Sequence, residues 1–292
     1  MIGFVLKRVA GLAVTLLLAA FLVFLVLDLV PAGAQPPFWQ RFAGWIGGAL
    51  LGDFGVSANG PIGALIADRL MVTAPLAVMA MLLALAIGLP LGMLAAAKPG
   101  ALVDRLANAG TLLFIGLPAF WLGMLLVLVF AAALHWLPSG GFVPWAQNPL
   151  GALASLVLPA VTLALPTAAL LARSARDAIV EVQAADFIRT ARLKGLTPRQ
   201  ALLRHGLRNA ALPVLALLAP LAAALVVGTV AVENVFYLPG LGRLMLSAIA
   251  DGDPPVIRSA LLALMALVVM VLLAADLLRS WVDPRMRRRG AA

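Results

Sequence analysis

Few residues of this sequence belong to types that do chemistry. The chain has no cysteine and two histidines, His135 and His205, so thiolate zinc sites, iron–sulfur clusters and cysteine nucleophiles are excluded. It contains no H-E-x-x-H motif, no G-x-S-x-G motif and no G-x-x-x-x-G-K-[ST] phosphate-binding loop. The sequence therefore predicts a chain that is not an enzyme, with no catalytic residue, no metal and no bound cofactor.

The composition instead indicates a membrane protein. Of 292 residues, 64% are hydrophobic and 11% are charged, against roughly 45–50% and about 25% in soluble domains. A membrane span needs about 20 mainly apolar residues, and six stretches qualify: residues 9–30, 71–97, 106–134, 153–172, 212–232 and 259–275. Because a barrel would show short segments that alternate apolar and polar residues, these long runs predict an all-α integral membrane protein with six transmembrane helices.

The basic residues predict the orientation of these spans. Lys and Arg collect on the cytoplasmic side of membrane proteins, and 17 of the 21 fall on one side of the six spans. We therefore expect both termini in the cytoplasm, and we attribute the net charge of +9 to topology and not to nucleic acid. His135 and His205 fall on opposite sides, where they cannot share a metal. A cleaved signal peptide ending near residues 32–34 is disfavoured, because the apolar run before it is longer than a usual signal core.

Charged residues are expected only at the ends of the spans. Secondary transporters usually hold ionisable groups within the bilayer to bind coupling ions, whereas Asp28, Glu233 and Asp276 lie where water or headgroups are expected to reach them. The pattern favours a pore whose energy is supplied from outside the chain. A self-sufficient channel or facilitator remains an alternative, because such proteins also need no buried charge.

The segment of about 173–211 is far longer than a simple connection requires, and loops of that length are usually functional. Residues 173–193 lack a helix breaker and predict a helix that leaves the membrane and ends near Gly195. Thr197, Pro198 and Gln200 form a capping box with proline at the first helical position, which predicts a second helix to about Ala210. The basic residues of this loop fit either anionic lipid or a soluble partner, and the residues alone leave both open.

Two stretches of this loop resemble the coupling loop of binding-protein-dependent ABC importer permeases, nearest to the dipeptide, oligopeptide and nickel branch. They are Asp186-Phe-Ile-Arg-Thr-Ala-Arg-Leu-Lys-Gly-Leu196 and His205-Gly-Leu-Arg-Asn-Ala-Ala-Leu-Pro213. Arg189 stands where the broader signature has glutamate, and the spacing from Gly195 to Pro213 is longer than in sugar importers; both departures are typical of the peptide branch. The residues expected to couple to the ATPase are Asp186, Arg189, Thr190, Ala191, Arg192, Lys194, Gly195, Leu196, His205, Asn209 and Pro213.

The resemblance extends to both ends of the chain, through Gly52-Asp-Phe-Gly-Val-Ser57, Glu233-Asn-Val-Phe-Tyr-Leu-Pro-Gly-Leu-Gly242 and Asp283-Pro-Arg285. The poorest match is Pro31-Ala-Gly-Ala-Gln35. The resemblance implies a first helix with an extracytoplasmic segment over residues 1–70, a type-1 importer permease domain over 71–283 and a basic tail over 284–292. It also implies the bacterial inner membrane and a substrate that is a peptide, a nickel chelate or an opine.

The same resemblance implies the partners. These are a second homologous permease, two cytoplasmic ATPases that hold ATP and Mg, an extracytoplasmic solute-binding protein and membrane lipid. The residues expected at the extracytoplasmic gate or the binding-protein contact are Asp53, Glu233, Pro239, Gly240, Gly242 and Asp253. Phe114, Trp121 and Thr162 are candidates for lining the pore, although lipid or a neighbouring helix would suit them equally.

Overall fold

The computed structural model of the chain describes residues 2–29, 36–58 and 60–282. Its long helices are α1 (Ile2–Asp28), α3 (Ile62–Ala97), α6 (Pro149–Ala184), α9 (Leu207–Val235) and α11 (Pro254–Val282). Each is long and apolar enough to cross a membrane. At 1.5 Å per residue, the 36 residues of α3 and of α6 extend well beyond a hydrocarbon core of about 30 Å.

The third predicted span is not one straight helix, which corrects the expectation for residues 106–134. Helix α4 (Leu102–Gly116) is followed by α5 (Ala119–Leu126) and a π-helical stretch (Val127–Ala133), and the two parts are bent by 106°. Leu117 is extended, with φ −89° and ψ 129°. One physical reason is Pro118, whose ring disfavours the helical conformation in the residue before it. Counted as one span, the bent pair raises the number of candidate crossings among the described residues from five to six.

Short elements connect these helices. They are α2 (Phe38–Leu50), the strands β1 (Val56–Ser57) and β2 (Gly60–Pro61), α7 (Asp186–Leu193), α8 (Pro198–Ala201), a π-helical turn (Leu202–Gly206) and α10 (Leu241–Asp251). The strands pair antiparallel, with Val56 opposite Pro61. Four sequence features lie outside the described residues: the disfavoured cleavage site at 32–34, the turn Pro31–Gln35, the Asp283-Pro-Arg285 motif and the tail 284–292.

Helix α6 lies at the centre of the bundle, packed against α3, α4, α5 and α9. Its contact with α3 is close because α3 carries glycine where the two backbones meet. A Cβ atom at Gly88 would lie 2.6 Å from the carbonyl oxygen of Ala168, and one at Gly92 would lie 2.5 Å from that of Ala172. Small residues allow such approach between membrane helices, whose association depends on close packing.

Two of the three carboxylates near the span ends are buried, so the expectation that water or headgroups reach them is wrong for Glu233 and Asp276. Glu233 is 0% exposed and Asp276 is 4% exposed. Asp276 forms ion pairs with Arg8 of α1, at 2.5 Å, and with Arg279. Asp104, 3% exposed at the start of α4, accepts two hydrogen bonds from Arg176 of α6, at 2.9 and 2.8 Å. Burial is tolerated because each charge meets a partner from another helix.

We expect Gly92→Ala to destabilise the protein, because the new methyl group would force α3 and α6 apart. Overpacking of this kind costs about 1–3 kcal/mol, so the midpoint of thermal unfolding in mild detergent should fall. The matched control is Gly110→Ala in α4, where a Cβ atom would meet nothing within 4 Å and alanine favours the helix. Equal midpoints for the two variants would contradict the close contact between α3 and α6.

Candidate functional site

The loop between α6 and α9 is built from short capped helices. Helix α6 ends at Ala184, and Ala185 is extended with φ −69° and ψ 145° before α7 begins. The predicted continuous helix over 173–193 is therefore broken, although no proline or glycine marks that point. Gly195, with φ +94°, then closes α7: its N–H donates to Arg192 O at 3.0 Å, and the N–H of Leu196 donates to Ala191 O at 3.3 Å. This is a Schellman motif, which favours glycine at the left-handed position.

The predicted capping box after Gly195 is confirmed. The N–H of Gln200 donates to Thr197 Oγ1 at 3.3 Å, and the N–H of Thr197 donates to Gln200 Oε1 at 3.0 Å. Helix α8 then widens into the π-helical turn and continues as α9 without a separate connection. The second loop helix and the fifth span thus form one continuous helical segment, with Pro213 inside α9.

One face of α7 packs inside the loop. Ile188 and Ala191 are buried together with Ala201 of α8, against Val182 and Leu196. Ala191 is 8% exposed, so its small side chain fits the contact between α7 and α8. Ala191, one of the residues expected to couple to the ATPase, therefore packs inside the loop.

The opposite face of the loop is exposed. It includes most of the residues predicted to couple to an ATPase: Asp186, Arg189, Thr190, Arg192, Lys194, Gly195, His205, Asn209 and Pro213. Three apolar side chains share this exposure, namely Leu193 at 83%, Leu203 at 55% and Phe187 at 43%. The sequence analysis missed these three. The sequence signal that could have identified them is a bulky apolar residue within a basic segment outside the membrane.

At the other end of the bundle, a buried carboxylate holds the start of α10. Glu233 Oε2 accepts hydrogen bonds from the N–H groups of Gly242, at 2.8 Å, and Arg243, at 3.2 Å. Thr73 of α3 donates its hydroxyl to Glu233 Oε1 at 2.6 Å, and its oxygen accepts from the N–H of Leu241 at 2.9 Å. The first three N–H groups of α10 therefore all have acceptors, which are side-chain oxygens of Glu233 and Thr73.

This arrangement explains why two residues of the predicted gate, at positions 240 and 242, are glycine. A Cβ atom at Gly240 would collide with the Glu233 carboxylate, and one at Gly242 would collide with the Val230 backbone. Both glycines are buried and Pro239 is half-buried. We call Glu233, Thr73 and residues 240–243 the α10 latch. The sequence analysis placed Glu233 where water or headgroups reach it, and its burial in the α10 latch corrects that expectation.

The remaining predicted residues lie apart from the α10 latch. Asp253 caps α11, with its Oδ1 accepting from the N–H of Val256 at 3.2 Å, and the exposed Asp53 accepts from the N–H of Gly55 at 2.9 Å. Thr162 is fully buried and donates to Leu158 O at 2.8 Å, so it packs inside the chain and lines no open surface of it. Phe114 is half-buried, and Trp121 is 45% exposed on α5.

Five helices long and apolar enough to cross a membrane, a bent pair that makes a sixth when counted as one span, and a capped two-helix loop define a polytopic membrane protein. The family described as "Binding-protein-dependent transport system inner membrane component" matches residues 88–288. The chain belongs to this family of ABC importer permeases, as its loop sequence indicated.

Full-length relatives agree with this membership. A putative peptide transport system permease protein of Brucella abortus is 36% identical over 312 residues, covering 98% of this chain and 99% of the relative. The glutathione transport system permease protein GsiC of Escherichia coli is 34% identical with the same coverage. A chain of the inward-facing MetNI methionine ABC transporter matches with a TM-score of 0.61 and 21% identity, covering 75% of this chain and 96% of that one. This last similarity confirms the type-1 importer fold.

We expect Thr73→Val to loosen the α10 latch, since valine has the same shape and removes the hydroxyl. The N–H of Leu241 and one oxygen of Glu233 would then be buried without a partner, at a cost of about 1–3 kcal/mol each. Amide hydrogen exchange over residues 241–251 should accelerate, and the thermal midpoint should fall. Thr15→Val is the matched control, because Thr15 is exposed and its hydroxyl bonds only within α1, to Gly11 O. Unchanged exchange in the Thr73 variant would contradict the latch.

Proposed function

We propose that this chain is one of two homologous permease subunits in an ATP-driven importer of peptides, and that α7 is the element that binds the ATPase. The observation that carries the proposal is the exposed Leu193 between Arg192 and Lys194. An apolar side chain framed by positive charge, on a helix whose other face is buried, suits a partner with an apolar cleft and an acidic rim.

The way α7 is held supports this role. Its end is closed by the Schellman motif, the next helix begins at the capping box, and Ile188 packs underneath. A helix held in this way moves as a body with the helices on either side of it. Helix α6 is in turn joined to α4 by Arg176 and Asp104, so a displacement of α7 would be transmitted to the helices that cross the membrane.

The other parts of the assembly follow from this placement. The segment of about 173–211 carries eight of the basic residues that predict the cytoplasmic side, so ATP and Mg would be held by ATPase subunits there and both termini of this chain would face them. A solute-binding protein would bind at the opposite end, where the α10 latch lies. Closure of the ATPases and docking of the binding protein would each favour one of two states of the pore.

We expect Leu193→Asp to weaken the contact with the ATPase, because an acidic group would replace the apolar side chain that enters the partner. In a mild-detergent pull-down of the tagged chain, recovery of the ATPase should fall at least tenfold. The control is Leu102→Asp: Leu102 is 70% exposed and lies at the first position of α4, at the same end of the bundle, where an acid is tolerated.

Two results would contradict this proposal. One is equal ATPase recovery from both variants. The other is recovery of this chain alone from native membranes, together with transport by this chain alone in proteoliposomes. That second result would support the alternative function, a self-sufficient channel whose basic loop rests on lipid.

The proposed substrate class rests on relatives named for peptide and glutathione transport. In proteoliposomes that hold the whole assembly, uptake of labelled dipeptide or glutathione should require both ATP and the binding protein. We expect Leu193→Asp to reduce this uptake and Leu102→Asp to leave it near the unmodified rate. ATP-independent uptake would contradict the importer, whereas ATP-dependent uptake of a substrate other than peptide would contradict only the substrate class.

A further inference from the structure

A polar cleft of about 690 Å³ opens at the end of the bundle that carries the α10 latch. It lies between α1, α2, the segment after α2 and the start of α11, and its charged lining residues are Asp28, Arg41, Asp53 and Arg258. Asp28 and Arg41 neutralise each other through a two-fold hydrogen bond, in which Arg41 Nη2 and Asp28 Oδ2 lie 2.7 Å apart. Arg258, the other cation of the cleft, has no carboxylate within ion-pair distance among the described residues.

Arg258 is held against two aromatic rings. Its guanidinium carbon lies 5.2 Å from the ring centre of Phe24 and 5.7 Å from that of Trp45. Within residues 2–29, 36–58 and 60–282, it makes neither a hydrogen bond nor an ion pair, and its Nε is buried without an acceptor. The indole N–H of Trp45, a residue 8% exposed that also lines the cleft, likewise has no acceptor among those residues. Buried donors without acceptors are costly, and an anionic oxygen beside Arg258 would relieve that cost.

The surroundings of the cleft indicate which anion reaches it. Helix α2, which forms one wall, exposes Trp39 at 66%, while Leu50 and Leu51 beside the cleft are 83% and 88% exposed. Exposed aromatic and aliphatic side chains at the end of a membrane bundle are typical of the headgroup level. A molecule resident at that level is a phospholipid.

An apolar groove, lined by residues other than those of the cleft, lies along the stripe of α11 that begins at Arg258. Leu261, Met265, Val268 and Leu272 follow at spacings of three and four residues, and all line a groove of about 440 Å³ together with Leu12 and Leu16 of α1. From Leu261 to Leu272 the stripe is about 16 Å long at 1.5 Å per residue, close to one leaflet of a core about 30 Å thick. The groove therefore has the length of an acyl chain.

We propose that the cleft and the groove together bind one zwitterionic phospholipid, with its phosphate at Arg258, its amine on the side of Asp53 and an acyl chain along α11. Asp53 keeps a carboxylate in the cleft while accepting one hydrogen bond from Gly55, so an amine-bearing headgroup suits the site better than an anionic one. In the orientation proposed above, this lipid belongs to the outer leaflet. It would join α1 and α2 to α11.

The test is native mass spectrometry of the intact importer, delipidated and then given phosphatidylethanolamine or phosphatidylglycerol. The unmodified protein should retain phosphatidylethanolamine, and Arg258→Gln should lower its occupancy at least tenfold. Arg243→Gln is the matched control, because Arg243 also lies at this end over an aromatic ring, 4.9 Å from the centre of Tyr237, but outside the cleft. Met265→Trp, which fills the groove and leaves Arg258 in place, should also displace the lipid.

Other outcomes overturn the proposal. Equal retention by the Arg258 and Arg243 variants, or preference for phosphatidylglycerol, would exclude the headgroup contact. Glycerol 3-phosphate that binds as tightly as the lipid would identify a site for free oxyanions, and crosslinking of residue 258 to the binding protein in place of lipid would identify a docking surface. Misfolding of Arg258→Gln would appear as a lower thermal midpoint in the delipidated state, and the Met265 variant then decides the question.

Discussion

The constraint on which the structure depends is that polar groups must find partners inside the chain wherever lipid replaces water. It explains the long helices, and it also explains how they end. Helix α10 begins beside the buried Glu233. Its first N–H groups therefore donate hydrogen bonds to the Glu233 carboxylate and the Thr73 hydroxyl and not to solvent. The glycines at 240 and 242 are required for the same reason, because a side chain at either position would exclude these partners.

The buried ion pairs follow the same constraint and determine which helices move together. Arg8 joins α1 to α11 through Asp276, and Arg176 joins α6 to α4 through Asp104. Breaking such a pair leaves a charge unpaired in a poorly solvated place, which is strongly unfavourable. These helices are therefore expected to move as joined units, and the bend at Leu117–Pro118 is the irregular point in the third crossing.

The sequence predicted the structural features that depend on residues close to one another along the chain. The apolar runs predicted the spans, and Thr197, Pro198 and Gln200 predicted the capping box because all its atoms lie within four residues. Pro118 lies within the predicted third span, but other prolines of this chain lie inside helices, so the sequence could not say that the helix would stop there. The burial of Glu233 could not be predicted, since its partner Thr73 is 160 residues away. The packing of Ala191 depends on Ala201 across the Gly195 turn, and the break at Ala185 carries no local sequence signal.

One helix connects the two regions to which the proposed function assigns opposite roles. Helix α9 follows directly from the loop after α6 at Leu207 and reaches Val235, two residues after Glu233, a length of about 43 Å at 1.5 Å per residue. No flexible connection interrupts it, although Pro213 and Pro220 each remove a backbone donor. A displacement of α7 by a partner would therefore act on the carboxylate that caps α10 through a single helix. Because Glu233 satisfies α10 and bonds to α3 at once, α10 cannot separate from α3 without leaving buried groups unpaired. The α10 latch thus favours two discrete arrangements over a gradual opening, which is the behaviour that a pore driven from its far end requires.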